Sequence, residues 1–275
     1  MIIIALVLLG LCFGSFVNAL VWRLREQSKP KANRIASKTE LSLAHGRSMC
    51  VHCKHVLSPM DLVPVISWLG LGGKCRYCKK PISWQYPLVE ALMATLFVIS
   101  YIFWPRDIAG WEVLAFGAWL ACLIGLIALV VYDIRWMLLP NRLIFPLYGL
   151  AAVYVLARGL ETASFITLLG AGAGVLIGGG IFYLLFQMSR GRWIGGGDVK
   201  LGFLIGALAA DPANAFLMLF VASSLGTLFI LPLLATKKAN RTSHIPFGPF
   251  LIAGCIITVL FGSSITSWYL TVLML

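Results

Sequence analysis

The chain has 275 residues, of which 60% are hydrophobic and 12% are charged, and its formal net charge at pH 7 is +12. Soluble domains average about 45–50% apolar and about 25% charged residues, so the composition excludes an ordinary soluble protein. Backbone groups in lipid must be satisfied within their own segment, so the apolar runs are expected to be helices. The composition therefore predicts an all-α polytopic membrane protein.

The apolar runs predict about eight transmembrane helices. In chain order they cover residues 2–22, 87–104, 111–132, 143–157, 165–188, 194–210, 215–235 and 250–273. A span needs about 20 residues, which makes the fourth and the sixth of these runs short. The first run has no basic start and no small-residue cleavage site, so we interpret it as an uncleaved anchor.

Lysine and arginine are distributed unevenly between the two sides of this predicted topology. The first loop, residues 23–86, carries 12 of the 22 basic residues, and the other side has only Arg106 and Arg158. The remaining eight lie in later segments on the side of the first loop: Arg135, Arg142, Arg190, Arg192, Lys200, Lys237, Lys238 and Arg241. The positive-inside rule places that side in the cytoplasm and the N-terminus outside. Because the charge follows topology, we expect no nucleic-acid partner, and we expect attraction to anionic membrane lipids.

These features divide the chain into three predicted parts: a first transmembrane helix at 1–22, a small cytoplasmic module at 23–86 and a seven-helix membrane domain at 87–275. The segment 23–86 is called the cysteine module below, because it contains two C-x-x-C pairs with 21 residues between them. A core of this size contributes little stability, so a bound metal would supply much of the folding free energy.

The two pairs are Cys50 with Cys53 and Cys75 with Cys78. Four thiolates on two tight turns are typical of a closed tetrahedral site for structural Zn²⁺, which leaves no open position for catalysis. Disulfides and a thioredoxin-like redox site are the alternatives; a cytoplasmic location disfavours the first, and no βαβ pattern supports the second. His52 and His55 could each replace one thiolate.

Two acidic residues lie at membrane depth on the predicted cytoplasmic side. Asp133 follows the third apolar run, and Asp198 ends the sequence Gly195-Gly196-Gly197-Asp198. A carboxylate at this depth is costly unless it is paired or solvated, so each indicates a functional site. Paired carboxylates that share one proton can activate water and polarise a peptide carbonyl, which predicts an intramembrane aspartyl peptidase.

Structural roles for these acids stay open at this point. Asp133 beside Arg135 could be a charge at a helix end, and Asp198 could be a polar cap after the glycines. We expect Asp133 to lie about 9 Å inside its helix if that helix continues to Pro140. Glu90 is the other acid at matching depth, either as a third participant or as a favourable charge at a helix N-terminus.

These segments follow one another along nearly the whole chain: Gly14-Ser15-Phe16-Val17-Asn18, the two C-x-x-C pairs, Tyr86-Pro87-Leu88-Val89-Glu90, Asp133-Ile134-Arg135-Trp136-Met137-Leu138-Leu139-Pro140-Asn141, Gly195-Gly196-Gly197-Asp198-Val199-Lys200 and Pro246-Phe247-Gly248-Pro249-Phe250. This ordered set resembles the motifs of the type IV prepilin peptidases almost end to end. One position departs from the pattern: Asn141 stands where many members of that family have Asp. G-x-G-D alone would be weak, because presenilin-like proteases share it, whereas the ordered set is specific.

The resemblance implies a bifunctional enzyme of the bacterial inner membrane. Such enzymes remove the leader of prepilins or type II secretion pseudopilins on the cytoplasmic side, and they methylate the new N-terminal amine from S-adenosylmethionine. It also implies that Asp133 and Asp198 are the catalytic dyad and that the cysteine module lies near the methyl-donor site. Glu90 and the segment 14–18 are candidates for that site.

Other functions predict other patterns. A proton- or cation-coupled transporter with a structural zinc module would have acids near the midplane and an internal repeat, and neither is evident in the sequence. A presenilin-like protease would cleave without methylation, and it gives no reason for the cysteine pairs. In a purely structural assembly protein neither aspartate would matter.

Overall fold

The computed structural model describes residues 1–37, 39–42, 46–237 and 245–273, so Lys238 and Arg241 of the topology argument lie outside the described residues. The described chain forms nine α-helices, two 3-10 turns and isolated β-bridges only. The helices are α1 (Ile2–Ser28), α2 (Ile66–Gly70), α3 (Gln85–Ile102), α4 (Trp111–Trp136), α5 (Asn141–Thr162), α6 (Phe165–Ser189), α7 (Gly196–Ala209), α8 (Pro212–Ala235) and α9 (Gly248–Leu273). The all-α prediction is confirmed.

Seven of these helices are long and apolar enough to cross a membrane: α1, α3, α4, α5, α6, α8 and α9. The fourth predicted run is not short, because α5 has 22 residues. The sixth run forms α7, which has only 14 residues and is about 21 Å long. Since the hydrocarbon core is about 30 Å thick, α7 needs support from its neighbours to lie at membrane depth.

The first compact unit, Met1–Ile102, consists of α1, the cysteine module and α3. Glycines allow the backbones of α1 and α3 to approach closely: a Cβ at Gly14 would lie 2.5 Å from Glu90 Cα. One turn further along α1, the Asn18 amide donates to the Tyr86 carbonyl oxygen at 3.1 Å. Two of the sequence motifs therefore meet in one helix–helix interface.

The second compact unit, Phe103–Leu275, contains α4 to α9. Its packing around α7 depends on two glycine pairs, since a Cβ at Gly202 would lie 2.6 Å from the Gly178 carbonyl oxygen of α6. A Cβ at Gly206 would similarly lie 2.5 Å from the Gly174 carbonyl oxygen. Small residues at such spacing let membrane helices pack backbone to backbone. The short α7 is thus held against the longer α6.

The division of the chain after residues 22 and 86, expected from the sequence, stays a prediction.

Candidate active site and metal centre

Asp133 lies three residues before the last residue of α4 and is 5% exposed. The helix ends earlier than expected, because Met137 adopts a left-handed conformation with φ 51° and its N–H donates to the Asp133 carbonyl oxygen. The condition for a depth of about 9 Å, a helix that continues to Pro140, is therefore not met. The carboxyl group lies only about 4.5 Å along the axis from the helix end.

Asp198 is the third residue of α7 and is half-buried. Its carboxylate accepts a hydrogen bond from the backbone N–H of Gly195, the residue that caps the helix. An acid at the third helical position that bonds back to the N-cap amide is one half of a capping box. The glycine segment therefore orients the Asp198 side chain, and its bare backbone leaves the approach to the carboxylate open.

The fold brings the two aspartates close enough for their carboxylates to repel each other. Leu139, which follows the end of α4, packs against the start of α7: a Cβ at Gly197 would be 3.1 Å from Leu139 Cβ. Like charges near each other cannot both ionise cheaply, so a pair in which only one member is ionised is less costly. The sequence prediction placed both acids at one membrane face, and the structure places them in the same compact unit.

Gly248 is the third component of this site. Its backbone N–H, at the start of α9, donates to the Asp133 carboxylate. A Cβ at this position would lie 2.6 Å from Asp133 Oδ2, so any side chain would displace the carboxyl group. In the sequence Gly248 is only one member of the motif at 246–250. Its role as a hydrogen-bond donor could not be predicted, because every residue other than proline has a backbone N–H.

Lys200 forms no ion pair with Asp133 or Asp198. Its ammonium group instead donates to Asn141 Oδ1 at 2.9 Å, and its carbonyl oxygen accepts from the Tyr148 hydroxyl at 2.7 Å. Asn141 begins α5 and Lys200 lies in α7. The contact therefore joins the ends of these two helices beside the site.

The two C-x-x-C pairs adopt the same local structure. In the first turn the Cys50 N–H donates to the His55 carbonyl oxygen, and in the second the Cys75 N–H donates to that of Lys80. Lys54 and Lys79 occupy equivalent positions with φ of 59° and 58°. Each pair is thus a tight turn that points two thiols to one side.

The four sulfur atoms of Cys50, Cys53, Cys75 and Cys78 all lie within 4.8 Å of one another. The Sγ atoms of Cys50 and Cys78 are 3.8 Å apart. Four sulfur ligands in a tetrahedron at about 2.3 Å from Zn²⁺ are about 3.8 Å from each other, so the cluster fits such a metal. Among the described residues no other such cluster occurs.

Cys75 is prepared for a metal electrostatically. Burial alone would raise the pKa of the Cys75 thiol, but hydrogen bonds from the amides of Cys78 and Tyr77 and from the thiols of Cys50 and Cys78 outweigh it and lower the pKa to about 7. Metals bind the thiolate, so Cys75 needs little free energy for deprotonation at neutral pH.

Asp61 connects the segment before α2 to the second turn. Its carboxylate accepts from Arg76 Nε at 2.6 Å, from the Tyr77 hydroxyl at 3.1 Å and from the N–H and hydroxyl of Ser58. Burial alone would raise the pKa of Asp61, but these bonds lower it to about 2. Asp61 is therefore ionised and fixes the second turn in place.

Glu90 is buried in the first unit and is not free for a ligand. Its Oε2 accepts the Val65 N–H at 2.8 Å, and its carboxylate also accepts from the Ser15 hydroxyl. Val65 has φ 60° and ψ −51°, and the Ile66 N–H donates to the Pro64 carbonyl oxygen, which defines a γ-turn that a β-branched residue rarely adopts. Glu90 thus holds a strained turn of the cysteine module.

Comparison with known proteins gives two family matches. Residues 8–104 match the Bacterial Peptidase A24 N-terminal domain, and residues 120–231 match the Type IV leader peptidase family. A prepilin leader peptidase/N-methyltransferase of Aeromonas hydrophila is 33% identical over 279 residues, which cover 96% of this chain and 92% of the relative.

Two further relatives carry the same name. The protein of Pseudomonas aeruginosa is 32% identical over 281 residues, which cover 98% of this chain and 93% of the relative. The protein of Bacillus subtilis is 33% identical over 235 residues, which cover 84% of this chain and 88% of the relative. No solved structure matches the chain.

Proposed function

Because this chain belongs to the type IV leader peptidase family, we propose that it cleaves the leader from type IV prepilins or type II secretion pseudopilins and methylates the new N-terminus. The observation that carries the proteolytic half is the pairing of Asp133 and Asp198 in one compact unit. The full-length similarity to proteins named for both activities supports the methyltransferase half.

In the proposed reaction the dyad acts as acid and base in turn. The ionised carboxylate takes a proton from water, and the resulting hydroxide adds to the carbonyl carbon after the leader. The protonated carboxyl group donates to the carbonyl oxygen and so stabilises the developing negative charge. When the intermediate collapses, the C–N bond breaks and a carboxyl proton goes to the departing amine.

The site geometry gives the two aspartates different positions in this reaction. Asp198 is half-buried and flanked by glycines, so a substrate backbone can approach it closely. Asp133 lies deeper and is held by the Gly248 amide. We propose that Asp133 fixes the water and that Asp198 contacts the scissile peptide.

We propose that Cys50, Cys53, Cys75 and Cys78 bind a structural Zn²⁺. The metal would cross-link the two turns of the cysteine module. S-adenosylmethionine, when bound, supplies an electrophilic methyl group to the new N-terminal amine. Glu90 was the sequence candidate for its site, but its carboxylate is engaged by Val65 and Ser15. We therefore propose that Glu90 positions the cysteine module and does not contact the methyl donor.

Seven apolar helices and the family support a multi-pass protein of the bacterial inner membrane. We propose that the N-terminus faces the periplasm and that the cysteine module and both aspartates face the cytoplasm. The charge distribution supports this orientation, since 20 of the 22 Lys and Arg lie in the segments assigned to the cytoplasmic side.

A mass-spectrometric assay tests the proposal. Purified protein in lipid is mixed with a prepilin-like substrate and S-adenosylmethionine, and we expect loss of the leader and a gain of one methyl group. Cleavage without the methyl group would leave a peptidase only. Absence of cleavage across several prepilins by folded, metal-loaded protein would contradict the proposal and favour the transporter alternative.

A further inference from the structure

The short helix α2 of the cysteine module turns two large apolar side chains outward. Ile66 is 68% exposed and Leu69 is 63% exposed, and residues three apart lie on the same face of a helix. The other side of α2 is packed, since the Trp68 ring lies 4.1 Å from that of Trp84 and its indole N–H donates to the Ile82 carbonyl oxygen. Exposure of this apolar face to water would cost free energy.

The position of α2 along α3 indicates which environment covers that face. The Val65 N–H at the start of α2 bonds to Glu90, which is the sixth residue of α3. Because α3 has 18 residues, it is about 27 Å long, and nearly all of it is needed to cross a hydrocarbon core of about 30 Å. The start of α2 therefore lies beside a part of α3 that belongs to the membrane boundary, about 8 Å from the end of that helix.

A row of exposed apolar side chains, which begins just before α3 and continues along it, also reaches α2. Trp84 is 66% exposed and Leu88 is 63% exposed, and Leu92 follows at the next interval of four. Residues spaced by four form one stripe on a helix, and tryptophan is enriched where such a stripe meets the polar headgroups. Trp84 packs on Trp68, which lies on the other side of α2 from Ile66 and Leu69, so this row ends in direct contact with α2.

The charge of the cysteine module complements an anionic membrane surface. The segment 23–86 has 12 Lys and Arg against three acids, and one of those acids, Asp61, is bonded to Arg76. Exposed Lys74, Lys79 and Lys80 lie on the second cysteine turn, which packs against α2 through Trp68 and Ile82. Basic residues near an anionic leaflet contribute about 1 kcal/mol each.

We propose that α2 lies in the cytoplasmic leaflet of the membrane, with Ile66 and Leu69 inserted between lipid headgroups beside the Trp84–Leu88 row. The choice of leaflet rests on the orientation given with the proposed function; the insertion itself does not. Short amphipathic segments bind membranes in this way by apolar burial together with basic charge. The metal centre would then be held at the membrane surface.

Site-directed spin labelling of the full chain in lipid nanodiscs tests this proposal. A ketone-bearing amino acid placed at 66, 69, 88 or 52 carries the label, so the cysteines stay unchanged. Collisions with oxygen, which concentrates in lipid, are compared with collisions with a water-soluble nickel chelate. Position 88 is the lipid reference, and exposed His52 on the first cysteine turn is the matched position outside the row.

We expect labels at 66 and 69 to favour oxygen over nickel, as at 88, and more strongly in nanodiscs containing phosphatidylglycerol than in zwitterionic ones. Free access of nickel at 66 and 69, equal to that of an unattached label, would overturn the proposal. Protection from both reagents would overturn it too, because it would show contact with protein, such as a second copy of the chain.

A pair of variants links the insertion to activity. The double variant Ile66→Gln with Leu69→Gln changes only exposed side chains and should keep its zinc, but it should methylate a smaller fraction of the cleaved product. Met60→Gln, also on an exposed side chain of the module, is the control and should behave as wild type. An unchanged methylated fraction in the double variant would exclude a role of insertion in methylation. If the wild type itself neither cleaves nor methylates, the proposed function fails while the accessibility result still decides the insertion.

Discussion

At the scale of single residues, the two aspartates occupy unlike surroundings that the backbone creates. Asp133 is nearly covered and accepts an N–H from Gly248, whereas Asp198 is half-exposed and accepts one from Gly195. Both donors are glycines at or next to the first turn of a helix, where backbone amides are unpaired and favour negative charge. The two carboxylates are therefore held by main-chain groups, which no side-chain motif encodes directly.

Gly248→Ala should impair cleavage strongly. The added methyl group would lie 2.6 Å from Asp133 Oδ2, so the carboxyl group must move, and a misplacement of about 1 Å can cost about 100-fold in rate. Leader cleavage by purified protein in lipid measures the effect. Gly117→Ala is the matched control in α4, because a Cβ there meets no atom within 4 Å. Equal activity of the two variants would show that Gly248 does not position Asp133.

Asp61→Asn should lower the free energy of unfolding of the cysteine module by about 1–3 kcal/mol, the usual cost of losing a charged hydrogen-bond partner. The folded-state pKa of about 2 lies below the unfolded value of about 3.9, so the contribution is fully present above the unfolded pKa and is lost as pH falls through 2. The thermal shift between wild type and variant should thus be the same at pH 7 and pH 5. A shift that disappears at pH 5 would contradict this assignment.

At the scale of helices, the critical element is α7. Its 14 residues are too few to cross a bilayer alone, yet it carries Asp198. Close backbone contacts between α6 and α7, made at Gly178 and Gly202, hold this short helix against a longer one. Helix length and glycine spacing therefore set the depth of the Asp198 carboxylate.

Gly202→Leu should abolish cleavage while the protein still inserts into the membrane. The new side chain would start 2.6 Å from the Gly178 carbonyl oxygen and would push α7 away from α6. Gly172→Leu in α6 is the control, since it faces open space. Cleavage and the monodisperse yield in detergent are measured for both variants. Normal cleavage by Gly202→Leu would mean that this helix contact does not determine the place of Asp198.

At the scale of the whole molecule, composition predicted the all-α membrane class, and the spacing of the C-x-x-C pairs predicted the cysteine cluster. Hydrophobic runs encode helices reliably, and a cysteine pair on a tight turn is constrained locally. What could not be predicted depends on tertiary contacts. The early end of α4 follows from a left-handed Met137, and the Glu90 carboxylate is directed by a turn 25 residues earlier at Val65.

Removal of the metal should separate the two proposed activities. Cys75→Ser takes one ligand from a closed four-thiolate site, so zinc content should fall and the cysteine module should loosen. Methylation should decrease more than cleavage, because the aspartates belong to the other compact unit. Zinc content, cleaved product and methylated product are measured together, with Cys12→Ser, outside the cluster, as control. Equal loss of both activities would contradict this division.

The central claim is that Asp133 and Asp198 together cleave the leader. The most direct measurement is mass spectrometry of a prepilin-like substrate incubated in lipid with wild type, Asp133→Asn or Asp198→Asn. Asparagine has nearly the same shape as aspartate, but its amide group cannot act as a general acid or a general base near neutral pH. We predict cleavage by wild type and none by either variant, with the fold and zinc content unchanged. Cleavage at the wild-type rate by either variant would contradict the dyad.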